Sequence, residues 1–230
     1  MTINSQHTLL HGFLILILLA SQITLKNTVP LQANPIQALP KPNTPVLELL
    51  TLGDKTALSY GLLLWLQQAD YRSGTSLTYQ ELDYPRLIEW LHAIQAINTH
   101  TQYPQLLATR LWSYVPDDAK SKQMLDYVER AFVENPVRWR WLAEATTIAK
   151  HRLEDLNLAL EYAQTLAAHA HPNTPYWAKD LRIILLEDLN EFESAELLIG
   201  ALLSSGEIKD PYEINYLEHK LEALKKKSKN

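Results

Sequence analysis

The sequence predicts an all-α fold, a right-handed solenoid of about four helical hairpins closed by a C-terminal capping helix, and three observations predict it. The chain has 230 residues but only 6 Gly, against a usual share of about 7%, so backbone breakers are few. Leu, Ala, Glu and Gln, all good helix formers, are many. Apolar residues recur at helical spacing in segments bounded by capping residues or prolines. These segments are in phase, since Ala93, Val128, Ala163 and Ile199 occupy equivalent places 35, 35 and 36 residues apart.

Three parts are expected in chain order: residues 1–27 as an N-terminal signal or membrane anchor, 28–45 as a proline-rich linker, and 46–230 as the helical domain. Leu9 to Leu25 reads LLHGFLILILLASQITL, 17 residues without a charge, at the short end of the roughly 17–25 that span a bilayer. A cleavage site needs small residues one and three positions before the cut, and Leu18 before Ala20 or Leu31 before Ala33 does not supply them. An uncleaved single-pass anchor in the inner membrane is therefore expected, with the body in the periplasm. Lys26, following the run, opposes that orientation under the positive-inside rule. Pro30, Pro35, Pro40, Pro42 and Pro45 then favour extended backbone, as in a semi-rigid stalk.

Within the body, Leu87, Trp90, Leu91, Ile94 and Ile97 form one apolar stripe and Met124, Leu125, Val128, Ala131 and Phe132 a second. Leu156, Ala159, Leu160, Ala163, Leu166 and Ala167 form a third, and Phe192, Ala195, Ile199, Leu202 and Leu203 a fourth. Between them, Tyr103-Pro104, Arg138, Thr174-Pro175 and Asp210-Pro211 open a second set of helices, with proline near the first helical position where its missing N–H is harmless. The expected pairs are Asp54–Tyr71 with Asp83–Ile97, Tyr103–Val115 with Asp118–Val133, Arg138–His151 with Asp155–Ala170, and Thr174–Leu189 with Glu191–Ser205. Asp210 to Lys227 is the cap, with Ile214, Leu217, Leu221 and Leu224 inward. Arg72 to Leu82 interrupts the period as a surface excursion or contact loop.

Two helices per period of about 34 residues is the pattern of helix-turn-helix repeats. The segments LALEYAQTLAAHAHP (Leu158 to Pro172) and SAELLIGALLSSG (Ser194 to Gly206) resemble the tetratricopeptide (TPR) superfamily, with Ala159 and Ala195 at its small-residue position. The Leu-Gly pair and tyrosine of its first helix are missing; Thr146, Thr147 and Lys150 stand in one such repeat. The chain is similar also to membrane-anchored helical-repeat proteins of Gram-negative bacteria. The resemblance spans about Asp54 to Lys227 and implies architecture only.

Several chemistries are excluded or disfavoured. With no cysteine, disulfides, thiolate metal sites and a cysteine nucleophile are impossible. A net charge of -5 without a basic run in the body disfavours nucleic acid; Lys225, Lys226, Lys227 and Lys229 read as a solvated helix end. There is no GxxxxGK loop and no HExxH pair. His169 and His171 are two apart and cannot share a helix face. Thr147 and Lys150 are a chance TxxK spacing, and Asp117 and Asp118 read as helix caps. No cofactor and no metal are expected. Trp90 and Trp177 read as packing elements. Arg138 and Arg140 in VRWRW sit where a helix dipole disfavours cations, so they meet either Glu134 or an anionic partner group.

The expected function is that of a non-catalytic scaffold or assembly factor of the bacterial envelope, holding a protein or peptide. The alternative is an enzyme or lipid-handling accessory whose helices shape a small-molecule pocket. Shifting the register by one period aligns Gln105, Thr109 and Trp112 with Arg140, Glu144, Thr147 and His151, then with Tyr176, Asp180, Ile183 and Glu187, then with Tyr212, Tyr216 and His219. These rows are expected off the core as a polar and aromatic strip. Arg140, Glu144, His151, Tyr176, Asp180, Tyr212 and Tyr216 are its candidate partner-binding residues.

Overall fold

The structure, a computed structural model, describes residues 5–28, 39–68 and 79–228. Among them every regular element is helical and no strand occurs. The helices are α1 (Ser5–Thr28), α2 (Thr44–Leu50), α3 (Lys55–Gln67), α4 (Tyr84–Ile97), α5 (Tyr103–Arg110), α6 (Asp118–Glu134), α7 (Trp139–His151), α8 (Leu156–Ala168), α9 (Tyr176–Lys179), α10 (Leu181–Asp188), α11 (Phe192–Ser205) and α12 (Pro211–Lys227). Short 3-10 turns occur at Tyr79–Glu81, Trp112–Tyr114 and Pro136–Arg138. Among the described residues no helix is long and apolar enough to cross a membrane; the side chains described in α1 are those of residues 12–24.

The starts follow from capping chemistry. Asp54, Asp83, Asp117, Asp155 and Asp210 each accept a backbone N–H from the first turn of the helix they precede. Each such cap is worth about 1 kcal/mol. Asn190, at φ 60°, ends α10: Glu191 N–H closes back onto Leu186 O at 2.8 Å, satisfying a carbonyl the helix leaves orphaned.

Helices adjacent in the chain pack from α3 through α12, with α8 meeting both α9 and α10. Contacts also run two helices along, α2 on α4, α4 on α6, α5 on α7 and α6 on α8. The four apolar stripes supply the interior. Leu87, Leu91, Ile94, Met124, Leu125, Val128 and Phe132 are fully enclosed, and Ala159 and Ala163 let α8 approach α7 closely. One cluster runs from Leu39 to Leu185, and a second joins Ile183, Leu186, Ala195, Ile199, Leu217 and Leu224. Leu160 of α8 packs against both.

Three expectations change. The packed body does not begin at Val46: Leu39 is buried, and Trp90 Nε1 on α4 donates to Pro40 O at 2.7 Å. The end of the proline-rich segment is thus part of the domain, because its backbone carbonyl satisfies a buried indole. Second, α5 ends at Arg110 instead of Val115. The Thr109 hydroxyl donates to Gln105 O and Leu106 O and Ser113 to Thr109 O, back-bonding that bends and shortens helices. Third, the Thr174–Leu189 helix is broken at Asp180, whose carbonyl accepts from Ile183 N–H at 2.9 Å in a tightened turn while its side chain points inward.

Of the interrupting loop, residues 72–78 lie outside the described residues, as do 69–71 of the first expected helix. From Tyr79 onward it is packed, with Leu82 buried and Lys120 Nζ donating to Gln80 O and Leu82 O.

A chain beginning at Val46 loses Leu39, the Pro40 carbonyl and the Asn43 cap, together about 3 kcal/mol. It should melt roughly 5–10 °C below a chain beginning at Leu39, as read by circular dichroism at 222 nm. Equal melting temperatures would return the boundary to Val46.

Candidate functional site

The proposed strip is only partly a surface. Gln105, Thr109 and Trp112 are fully buried, and so is Ile183, so the first row belongs to the core. Gln105 Nε2 donates to Gln95 Oε1 at 2.7 Å and to Tyr127 Oη at 3.2 Å, and Trp112 O accepts from Tyr84 Oη at 2.7 Å. Burial at these positions is met only in part by hydrogen bonds: the Gln105 amide nitrogen is satisfied from α4 and α6 and Thr109 by its own helix, while Gln105 Oε1 and Trp112 Nε1 have no partner. Asp180, 5% exposed, also leaves the strip.

The remaining candidates divide. Arg140 and His151 are exposed. Glu144 is half-buried and held by Arg110 through a two-pronged contact of 2.8 and 3.2 Å; the same guanidinium lies 5.7 Å from the centre of the Trp141 ring. Tyr176 is half-buried with Lys179 Nζ 4.3 Å from its ring. Tyr212 is 87% exposed, and Tyr216 is exposed as well. Thr147 donates to Ala143 O, and Lys150 pairs with Asp188 at 2.6 Å, so neither group of the TxxK spacing is poised for chemistry.

The sequence analysis missed the aromatic contacts between successive helix openings. Tyr60 meets Tyr103 edge-on at 5.7 Å, Trp141 Nε1 donates to Gln102 Oε1 at 2.8 Å, and Trp139 meets Trp177 edge-on at 5.7 Å. Trp177 is 58% exposed and is no core packing element, whereas Trp90 is buried as expected. The signal was present: Tyr103, Trp139, Tyr176 and Tyr212 recur once per period at helix openings. Trp139, Arg140, Tyr176, Trp177 and Lys179 thereby form one aromatic and cationic edge where α7 meets α9.

A cleft of about 370 Å³ opens nearby, lined by His92, Gln95, Ala96, Thr99, Glu134, Asn135 and Arg138. Arg138 does not pair with Glu134. Its Nη1 donates to Ala131 O at 2.9 Å in the last turn of α6 and its Nη2 to Thr99 O at 3.0 Å, where a helix carbonyl end welcomes a cation. The His92 ring stands edge-on to Tyr127 at 5.0 Å, and burial lowers its pKa, so the imidazole is neutral near pH 7. The cleft offers hydrogen bonding. Among the described residues no three side chains are grouped as metal ligands.

A second titratable cluster fixes α12. Asp180 lies against Glu213, whose Oε1 is buried without a hydrogen-bond partner. Burial first, and then the Glu213 carboxyl, push the Asp180 pKa up to about 8, with Arg182 and Lys179 pulling the other way. Asp180 therefore keeps its proton near neutral pH. Farther along, Glu187 accepts from Lys220 and Lys227, which hold its pKa below the ordinary range.

Comparison with models of known protein families, with curated proteins and with solved structures finds no match.

The raised Asp180 pKa means that the folded chain keeps a proton which the unfolded chain releases above the ordinary aspartate range. Stability from this pair is complete in acid, erodes as pH climbs and is gone above about pH 8. The slope is at most about 1.4 kcal/mol per pH unit. Asp180→Asn keeps a hydrogen bond and removes the titration, so its urea midpoint should fall less between pH 5 and pH 8 than that of the natural chain. Parallel curves would mean that the pair holds no proton.

Proposed function

We propose that this chain is a membrane-tethered, non-catalytic scaffold of the bacterial envelope that holds a protein or peptide on the edge formed by the openings of α7, α9 and α12. The observation that carries this reading is the exposure of Trp177 and Tyr212, 58% and 87%, with Trp177 against Trp139 at the opening of α7 and the start of α12 brought to the end of α9 by Glu213 against Asp180. Large amphipathic rings and arginine are the side chains that anchor protein interfaces, and they gain most when a partner removes them from water.

The contacts of α4 on α6, α5 on α7 and α6 on α8 support a right-handed, TPR-like solenoid of paired helices with α12 as its cap. The charge-free run from Leu9 to Leu25 is what supports a single-pass tether, and the inner membrane with the body in the periplasm is the placement proposed for it, against the charge of Lys26. The cleft beneath His92 and Arg138 favours a second reading, a small-molecule accessory, because a recess of that size admits a compact polar ligand.

A photo-crosslinking residue placed at Trp177 or at Tyr212 in the full chain should trap the same partner in cells, and one at exposed His169 should not. Replacing Arg140, Tyr176 and Tyr212 together by Ala should lower capture by at least about tenfold, since interface anchors cost upward of about 1–2 kcal/mol each. The melting temperature should hold. Equal adducts from His169, or undiminished capture by the triple variant, would remove this edge as the partner site.

A further inference from the structure

The largest apolar exposure on the packed body is at the α2–α3 turn, far in sequence from the aromatic edge. Leu49 is 77% and Leu52 92% exposed, and Val46 and Leu50 of α2 are exposed as well. Of the seven residues of α2 only Leu47 is buried. Leu52 also has φ 47°, in the left-handed region where a β-carbon is crowded and Gly or Asn is the usual occupant, and Gly53 follows at φ 91°.

The turn is built firmly. Thr51 Oγ1 donates to Glu48 O at 2.8 Å, Asp54 N–H donates to Thr51 O at 2.7 Å, and the Asp54 carboxylate is occupied by Ala57 N–H at 2.9 Å. A leucine thus stands in a conformation unfavourable to it, held there by a hydrogen-bonded frame, with its side chain in water. Backbone strain of this kind clusters at functional sites, and an exposed apolar patch marks a surface that meets another apolar phase.

Its place in the chain says which phase. Leu39 and Pro40 are pinned to the body through Trp90, so the ten residues 29–38 are all that separate Thr28 of α1 from the pinned point. Even fully extended they reach only about 35 Å. A body tethered through α1 therefore keeps this turn within reach of the bilayer, at an effective concentration that favours shallow insertion of a few leucines.

We propose that the α2–α3 turn is a second membrane contact, in which Leu49, Leu50 and Leu52 enter the bilayer interface and fix the orientation of the tethered body. The inference rests on α1 being the tether. It implies that the lipid-facing end is the α2–α3 end and that the edge at α9 and α12 is presented away from the membrane.

The absence of cysteine makes the test direct. Single cysteines replace Leu16 in α1, Leu52, or Leu197, a 77% exposed residue of α11. Each full-length chain carries an NBD label in vesicles of phosphatidylcholine and phosphatidylglycerol, with or without brominated acyl chains. The label at 52 should shift to the blue and lose emission to the brominated lipid, as should that at 16, while that at 197 stays in water. Adding Leu49→Glu should abolish quenching at 52, which shows that the turn and not the dye drives insertion. Quenching at 16 with a water-exposed 52 overturns the second contact and leaves the tether intact. No quenching at either overturns both, through the tether. A blue shift at 52 without quenching means a second copy or another protein covers the turn, and overturns the lipid assignment.

Discussion

The turn between α4 and α5 is covered only in part, with Thr101 buried and Thr99 and His100 exposed, yet side chains of the protein, and not water alone, serve its carbonyl groups. Gln95 Nε2 serves Asn98 O, Thr99 O and Thr101 O, and Arg138 Nη2 serves Thr99 O a second time. Gln105 then bonds Gln95 and Tyr127, and Asn98 Nδ2 reaches Ser59 of α3 at 3.2 Å. One polar knot thus draws on α3, α4, α5, α6 and the turn that leads into α7. Since its bonds cross from one helix to another, the first helices share a single register. A slip of any one would strand several buried polar groups at about 1–3 kcal/mol each.

Helix identity and order were legible in the sequence because they depend on local signals: the stripe after Asp83, the stripe after Asp117, the prolines at helix openings. Which face each helix buries was less legible. Gln105 and Thr109 look solvent-facing by composition and are core: the partners of Gln105 lie on α4 and α6, 10 and 22 residues away, while Thr109 turns its hydroxyl back onto carbonyl groups of its own helix. Leu49 and Leu52 look like core and are exposed, because nothing in the described body reaches over the end of the stack. The break at Asp180 was hidden for the same reason, as its partner Glu213 is a whole period later. Pattern fixes what a side chain could do alone, and partners decide where it ends up.

Ionic contacts follow the period too. Arg110 with Glu144, Lys150 with Asp188 and Glu187 with Lys220 join α5 to α7, α7 to α10 and α10 to α12. Partly solvated pairs of this kind contribute little net stability, and Arg110 in particular is largely exposed. Their value is in spacing: opposite charges one period apart favour the neighbouring opening helix over any other. The apolar interfaces, built from Leu, Ala and Ile on every helix, do not discriminate in that way. Burial therefore holds the helices together, while the charges and the polar knot specify the order in which they meet.

The bond from Trp90 to Pro40 also determines how the body would respond to being pulled. Tension arriving along the N-terminal segment meets Leu39 and Pro40 first, and both are anchored on the core side of α4. The load passes through the indole hydrogen bond into α4, among the most enclosed helices of the domain, and bypasses α2. Shear that would peel a terminal helix from its neighbours is thereby delivered to an interior one. The α2–α3 turn, although nearer in sequence to the point of attachment than the rest of the domain, carries no strain from it and keeps its bearing while the chain is under force.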